Sequence, residues 1–229
     1  GVSTGYALGA APVGVTLDQA QPSLADLGLV PPGASAFRAP AAPEKFHEML
    51  RARERMFSQS AGAAFSALLG APPAMLAPPS LGSQRTFKVC STTDCNAFVS
   101  VTATALHVGP KGAIYLDNSV PAGGYTQADI DSVGNLFDSY LYPIDTLAFG
   151  HASDLDNNGV IAVLLTDQVN KLSGSCNSAG SVILGYFYGA DLIPSQSGSN
   201  SGEIFYGLVP DPANSSCTAP FSAWPRVAS

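Results

Sequence analysis

Length, composition and charge already exclude several classes of protein. The chain has 229 residues, enough for one to one and a half domains, and 46% of them are apolar, which excludes wholesale disorder. The formal net charge of −7 argues against binding to nucleic acid or another polyanion. No stretch approaches the ~20 apolar residues that cross a bilayer, so we expect no membrane span. No signal-like segment follows Gly1, so we expect any export signal to have been removed or to lie outside the sequence.

Four cysteines indicate an oxidising compartment. An even number of cysteines in a chain with only 12% charged residues predicts a secreted or extracellular protein with two disulfides. Among three possible pairings we favour a short clip and a longer staple, Cys90–Cys95 and Cys176–Cys217. Four buried thiols are the alternative. Zinc binding by cysteine is disfavoured because the sequence contains no C-x₂-C pair.

The first part of the chain has the composition of a leader. Residues 1–83 are rich in Ala, Gly and Pro, and we interpret them as a leader or pro-segment that precedes an α+β unit at 84–229. Helical spacing within the leader predicts one amphipathic helix near residues 43–60. Its apolar face carries Phe46, Met49, Leu50 and Phe57. Arg53 lies on the same side, so its guanidinium must extend outward along the aliphatic stem.

The second part of the chain alternates strand signals with one strong helix signal. A helix is predicted over residues 127–141, with a capping box at Thr126 and Asp129 and an end at Pro143. Short runs rich in apolar and β-branched residues predict strands. These strands are expected at residues 86–91, 97–108, 113–116, 160–165, 181–188 and 203–209. The first two are expected to form a hairpin closed near Cys90 and Cys95.

An acidic loop is the strongest local signal for a binding site. Residues 154–161 read DLDNNGVI, and alternating carboxylate and amide side chains on a tight turn direct oxygens toward a hard cation such as Ca²⁺. A glycine at 159 allows the chain to reverse with positive φ. We therefore predict a calcium site with five ligands: Asp154, Asp156, Asn158, the carbonyl of Val160, and Asp167 as the closing carboxylate. An Asx-type turn without an ion is the alternative.

Two catalytic interpretations fail on the sequence. Residues 46–51 (FHEMLR) begin like the zinc-peptidase helix motif H-E-x-x-H, but Arg51 stands where the second histidine is required. No histidine lies near a G-x-S-x-G nucleophile turn, which leaves a Ser-His-Asp hydrolase without support. We therefore interpret all three histidines as structural: His47, His107 and His151.

Four segments, taken in order, resemble a known family. They are YLDN at 115–118, LFDSYLYP at 136–143, FG at 149–150 with DLDNNGVIAVLLTD at 154–167, and GYF at 185–187 with SNSGEIFY at 199–206. Their order is similar to that in the N-terminal part of the catalytic domain of hyicolysin-type secreted zinc metalloendopeptidases. The resemblance covers residues 114–209.

The resemblance implies a zincin-like upper subdomain, in which a twisted mixed sheet with one main helix lies above an active-site helix. In this family an H-E-x-x-H helix follows soon after these segments, and the 229 residues contain none. The resemblance thus implies zinc for a complete enzyme only, with a C-terminal catalytic half as partner, and we expect this chain alone to be inactive. Strand 203–206 would be an edge strand that pairs with a peptide or protein substrate. The implied substrate-binding residues are Asn200, Glu203, Phe205 and Tyr206.

A second function remains open on the sequence. The chain is then a calcium-stabilised extracellular binding or adhesion module without catalysis. Its recognition surface would consist of aromatic residues near the end of the α+β unit: Tyr186, Phe187, Tyr188, Phe205 and Tyr206. Ordinary packing in the core is the other interpretation of these rings, and we favour it.

Overall fold

The computed structural model describes residues 42–60, 77–173 and 183–211. Most of the predicted leader lies outside these ranges. Cys176 and Cys217 also lie outside them, so the predicted disulfide between these two cysteines stays a prediction. Within the described ranges, no helix is long and apolar enough to cross a membrane.

The described chain is a mixture of helices and strands, as predicted. The helices are α1 (Ala42–Ser60), α2 (Gln127–Leu136), α3 (Tyr142–Phe149) and α4 (Asp167–Leu172), with a π-turn at Phe137–Leu141 and a 3₁₀ turn at Gly189–Leu192. The strands are β1 (Gln84–Cys90), β2 (Phe98–Val108), β3 (Gly112–Asp117), β4 (Ile161–Leu165), β5 (Gly185–Phe187) and β6 (Ile204–Gly207). Every predicted strand is thereby confirmed, whereas α3, α4 and the 3₁₀ turn were not predicted.

The six strands form one mixed sheet in the order β1-β2-β3-β4-β6-β5. Strands β1, β2 and β3 are antiparallel neighbours, β3, β4 and β6 run parallel, and β5 is antiparallel to β6. The prediction that residues 203–206 form an edge strand is therefore wrong. The chain reverses after β5 and inserts β6 between β4 and β5, so both hydrogen-bonding edges of β6 are occupied. The edge strands of the sheet are β1 and β5.

The predicted hairpin and its disulfide are confirmed. Strand β1 pairs with β2 in a register that places Cys90 opposite Phe98, and a disulfide joins Cys90 to Cys95 across the connecting turn. Both cysteines are buried. The guanidinium of Arg53 donates a hydrogen bond to the carbonyl of Cys95 at 3.0 Å and another to the side chain of Asn96. Arg53 is half-buried, and these hydrogen bonds tie α1 to this turn; the outward extension of its guanidinium stays a prediction.

Removing the clip should have a moderate effect on stability. We expect the double variant Cys90→Ala, Cys95→Ala to lose about 2 kcal/mol, because a disulfide across so short a loop restricts the unfolded chain only modestly. Urea unfolding of the oxidised protein and the variant measures the difference. A loss above about 5 kcal/mol would instead mean that the clip holds the hairpin in its native conformation.

The main helix begins at the predicted residue, but the helical segment continues beyond its predicted end at Pro143. Thr126 caps α2, its hydroxyl accepting from the backbone N–H of Asp129 while the Asp129 carboxylate accepts from the backbone N–H of Thr126. The prediction that Pro143 stops the helix is wrong, because the chain stays helical to Phe149. The backbone N–H of Tyr142 bonds to the carbonyl of Phe137, five residues back. This widened turn makes room for the proline ring, which then lies in the first turn of α3, where its missing N–H is not needed.

Helix α1 packs on the sheet that follows it. Phe46 and Leu50 are buried in the main core, and the Phe46 ring meets the Tyr186 ring edge-on at 5.2 Å. The compact unit that contains the sheet begins at Pro40, before this helix. The amphipathic helix is therefore confirmed, and the use of residues 1–83 as a leader or pro-segment stays a prediction.

Two rows of side chains cross β3, β4, β6 and β5 on opposite faces of the sheet. The upper row is buried throughout and consists of Tyr115, Leu164, Tyr206 and Tyr186. The lower row consists of Ile114, Val163, Phe205 and Phe187. Helix α2 covers only its first part, where Ile130 packs on Ile114. Along the lower row the exposed fraction rises from 1% at Ile114 to 44% at Phe205 and 38% at Phe187.

Candidate metal centre and the open sheet face

The acidic loop before β4 is a tight turn held by its own side chains. Asp154, Asn157 and Gly159 have positive φ angles of 48°, 52° and 78°, so the glycine has the conformation that the sequence predicts. The carboxylate of Asp154 accepts from the backbone N–H of Gly159 at 3.0 Å. The side-chain oxygen of Asn158 accepts from the N–H of Val160 at 2.8 Å. These are Asx-type contacts, and they shape the loop whether or not an ion binds.

Three carboxylates converge beside this turn. One oxygen from each of Asp154, Asp156 and Glu203 lies within 4.8 Å of the others. Because Ca²⁺–oxygen distances are about 2.4 Å, two ligand oxygens on opposite sides of one ion are about 4.8 Å apart. The separations therefore suit a single shared cation. The Asn158 oxygen faces the backbone instead, and ligation by it or by the carbonyl of Val160 stays a prediction.

Glu203 is held so that half of its carboxylate faces the cluster. Its Oε1 accepts from the backbone N–H of Leu155 at 2.8 Å and from the hydroxyl of Ser153. Its Oε2 is buried and has no hydrogen-bond partner among the described residues, although Glu203 is only 7% exposed. A buried carboxylate oxygen without a donor is costly, and a cation bound at this point would offset that cost.

Asp156 has the same arrangement on the other side of the cluster. Its Oδ2 accepts from the amide of Asn158 at 2.7 Å and lies 3.9 Å from the guanidinium of Arg85. Its Oδ1 is buried without a partner among the described residues, in a side chain that is 8% exposed. Burial raises the pKa of Asp156; the charge of Arg85 opposes this, and the charges of Glu203 and Asp154 add to it.

Glu203, and not Asp167, is the third carboxylate of the cluster. Asp167 begins α4 at the far end of β4, a strand of five residues that spans roughly 16 Å, and its carboxylate pairs with the ammonium of Lys171 at 2.9 Å. The expectation that Asp167 closes the site is therefore corrected. Strands β4 and β6 are parallel neighbours, so the loop before β4 and the residue before β6 meet at the same edge of the sheet.

A cavity of about 180 Å³ opens beside the carboxylates. Its wall includes Asp154, Val160 and Glu203 together with Lys111, Tyr142 and His151. The ammonium of Lys111 lies 5.5 Å from the centre of the Tyr142 ring. A small solute therefore has access to the cluster from one side.

Two of the other residues implied for substrate binding, Asn200 and Tyr206, belong to a hydrogen-bond network around Asp191, whereas Phe205 is partly exposed on the lower face of the sheet. The Tyr206 hydroxyl donates to Asp191 at 2.6 Å, and Asn200 donates to the same carboxylate through its backbone N–H at 2.7 Å. The Asn200 side chain also bonds to the backbone of Lys88 at 2.8 Å, which ties this segment to β1. Asp191 itself is fully buried. A substrate role for these residues stays a prediction, and Asp191 was missed because no local motif marks it.

The aromatic residues near β5 and β6 divide between the two faces of the sheet. Tyr186, Tyr188 and Tyr206 are buried, and the rings of Tyr186 and Tyr206 stack at 4.7 Å. Phe187 and Phe205 are opposite each other on β5 and β6 and are partly exposed on the lower face. Core packing is thus confirmed for the three tyrosines, and the two phenylalanines form an open apolar patch.

The described residues do not fit a catalytic zinc site. Asp154, Asp156 and Glu203 are the one group of three metal-ligating side chains in the described ranges, and zinc at a catalytic centre prefers histidine nitrogen. Oxygen donors of this kind are typical ligands of hard cations, a class that includes both calcium and magnesium. Compared with models of known protein families and with curated proteins, the chain matches none.

Proposed function

We propose that this chain forms the upper, substrate-side half of a secreted zinc metalloendopeptidase catalytic domain. Three of the four segments that resemble hyicolysin-type peptidases lie on or next to neighbouring strands of one sheet, and the fourth, LFDSYLYP, lies in the helical region from the end of α2 to the start of α3. YLDN ends β3, the acidic loop leads into β4, GYF is β5, and SNSGEIFY leads into β6. The three strand segments are thus neighbours in one sheet although they lie well apart in the sequence, which supports the resemblance.

The half-covered lower row is the observation that carries the proposal. Helix α2 buries Ile114 at one end, whereas Phe205 and Phe187 are exposed at the other. A sheet face left apolar and open beside a packed helix has room for one more helix. The resemblance implies an active-site helix beneath the sheet. This helix would pack on the exposed end of the lower row, at Phe205 and Phe187.

The substrate edge of such an enzyme would be β5. The outer edge of β5 pairs with no other strand in the described part of the chain, whereas β6 is paired on both sides. An extended peptide that adds beside β5 would continue the sheet by backbone hydrogen bonds. Zinc and the general base would come from the following part of the enzyme, which the chain described here does not contain.

The coding sequence downstream of Ser229 tests the proposal directly. We expect an H-E-x-x-H motif within a few dozen codons, and zinc-dependent cleavage of a peptide by the full-length protein that a Glu→Gln change in that motif abolishes. A downstream sequence without this motif, or full-length protein without peptidase activity when loaded with zinc, would reject it.

A stability comparison tests, without an activity assay, whether a further helix packs on the exposed end of the lower row. In the 229-residue chain, Phe205→Ala should cost about 1 kcal/mol, because the ring is half exposed. In full-length protein the cost should rise to about 3–5 kcal/mol if a helix buries the ring. Leu184→Ala is the matched control, since Leu184 is exposed next to β5. Equal costs for Phe205→Ala in both proteins would mean that no helix covers this face.

The patch of Phe187 and Phe205 supports one competing function. Two adjacent exposed rings on a sheet face, next to the exposed Leu184, also suit a binding or adhesion module stabilised by calcium. A downstream sequence without zinc ligands, together with reversible binding of a protein partner that Phe205→Ala removes, would favour this second function.

A further inference from the structure

We propose that Asp154, Asp156 and Glu203 together bind one Ca²⁺ ion, and that the ion joins the loop before β4 to the start of β6. The proposal concerns only residues described in this chain and does not depend on the peptidase interpretation. A complete peptidase and a binding module would both contain the site.

The charge balance of the cluster is the first argument. Three carboxylates have oxygens within 4.8 Å of one another, and the nearest counter-charge in the described residues is Arg85, 3.9 Å from Asp156 on the outer side. Arg85 also donates to the backbone carbonyl of Asn200 at 2.9 Å, so it is held in place by the fold. Lys111 lines the adjoining cavity together with Asp154 and Glu203, but among the described residues it forms no ion pair with either carboxylate within 4.0 Å. The three carboxylates thus have one paired cation, and the carboxylates of Asp154 and Glu203 repel each other.

The unpartnered oxygens are the second and independent argument. Asp156 and Glu203 each use one carboxylate oxygen for contacts with the protein and leave the other buried without a donor. Both side chains are more than nine-tenths buried, and both belong to the converging cluster. Hydrogen bonds thus fix the orientation of each carboxylate, while the free oxygens have the positions that metal ligands need.

The ligand chemistry selects calcium among the divalent cations. All three ligands are carboxylates, and a cavity beside them leaves space for water molecules or backbone carbonyls to complete a shell of six to eight oxygens. The cluster contains no histidine or cysteine, which disfavours zinc. The Asx-type turns fix the ligands of this loop in an irregular arrangement. Ca²⁺ accepts irregular coordination, whereas Mg²⁺ requires a nearly ideal octahedron.

Ion binding would stabilise a long-range connection. Glu203 contacts the loop across 48 to 50 residues of sequence, and the strands on either side of this contact, β4 and β6, are hydrogen-bonded neighbours. The unfolded chain cannot present the three carboxylates together. Calcium therefore binds the folded state only and raises its stability by mass action.

Thermal unfolding of the 229-residue chain, treated with chelator and then dialysed, tests the site. At calcium concentrations about 100 times Kd we expect the Tm to rise by about 5–10 °C. Magnesium at the same concentration should have a smaller effect. Glu203→Gln keeps the size of the side chain and the oxygen that Leu155 contacts, so the variant should fold but bind calcium at least about tenfold more weakly.

Asp167→Asn is the matched control, because it removes a carboxylate that lies outside the cluster. This variant should keep the full calcium-induced rise in Tm. As a second measurement, Tb³⁺ in place of Ca²⁺ should show luminescence excited through Tyr142, which lies on the same cavity, and Tyr142→Phe should reduce the emission without changing calcium affinity. An unchanged Tm with calcium, or equal calcium binding by wild type and Glu203→Gln, would overturn the proposal.

Discussion

Phe46→Ala is expected to destabilise the protein by about 3–5 kcal/mol. Phe46 is 1% exposed, and its ring contacts Tyr186 on β5 and lies in the main core of the sheet. Truncation leaves a cavity between α1 and the sheet that the neighbouring side chains fill only in part. Urea or thermal unfolding of the purified chain measures the loss of free energy.

Met56→Ala on the same helix is the control for this prediction. Met56 is 61% exposed, so its truncation should change the stability by less than about 1 kcal/mol. If both variants lose equally little, α1 does not pack on the sheet in solution, and the helix belongs to a separate leader. If only Phe46→Ala is destabilised, the folded unit includes α1, and removal of residues 1–83 would expose the upper face of the sheet.

The contribution of Asp191 to the stability of the protein should fall as the pH rises from about 4 to 7. Burial raises the pKa of this carboxyl from 3.8 to about 6, although the hydroxyl of Tyr206 and the amides of Asn200 oppose the shift by bonding to the ionised form. Between these two pKa values the folded state holds a proton that the unfolded state has lost. The stabilisation is therefore complete below pH 3.8 and is lost as the pH rises through about 6, for a total of about 3 kcal/mol.

Comparison with Asp191→Asn isolates this effect from the other carboxylates. Both proteins share every other titrating group, so the difference between their pH profiles of unfolding free energy belongs to residue 191. The wild type should lose about 2–2.5 kcal/mol more than the variant between pH 4 and pH 8. Chelator is kept in all samples so that cation binding makes no contribution. Parallel profiles would mean that the carboxyl titrates alike in the folded and unfolded chains.

Local sequence patterns predicted the elements because the physics of each element is local. The apolar spacing of Phe46 and Leu50 specifies α1, and the capping box at Thr126 specifies where α2 begins. The hairpin of β1 and β2 follows from alternation and a five-residue disulfide loop. The turn of the acidic loop follows from Asp154 and Gly159, whose hydrogen bond closes within six residues.

Pro143 shows where even a local rule depends on its surroundings. A proline after a helical pattern predicts a helix end, because its ring clashes with the carbonyl four residues back. The π-turn at Phe137–Leu141 widens the backbone and removes that clash, so α3 continues to Phe149. The Phe137 ring in this turn packs close to Gly112, at the start of β3. The π-turn therefore occurs where the helix packs on the sheet, and the sequence of the helix alone does not predict this turn.

By itself, the sequence determined the class of the fold, the position of each strand and two of the three clustered carboxylates. Only the tertiary structure decided the strand order, which in turn decided which strands lie at the edges and which residue supplies the third carboxylate. Placing β6 beside β4 removed β6 from the edge and brought Glu203 to the acidic loop, so that Glu203 occupies the place predicted for Asp167 from the sequence. Strand order depends on which apolar faces pack together across many residues, so no pattern within a short segment can encode it.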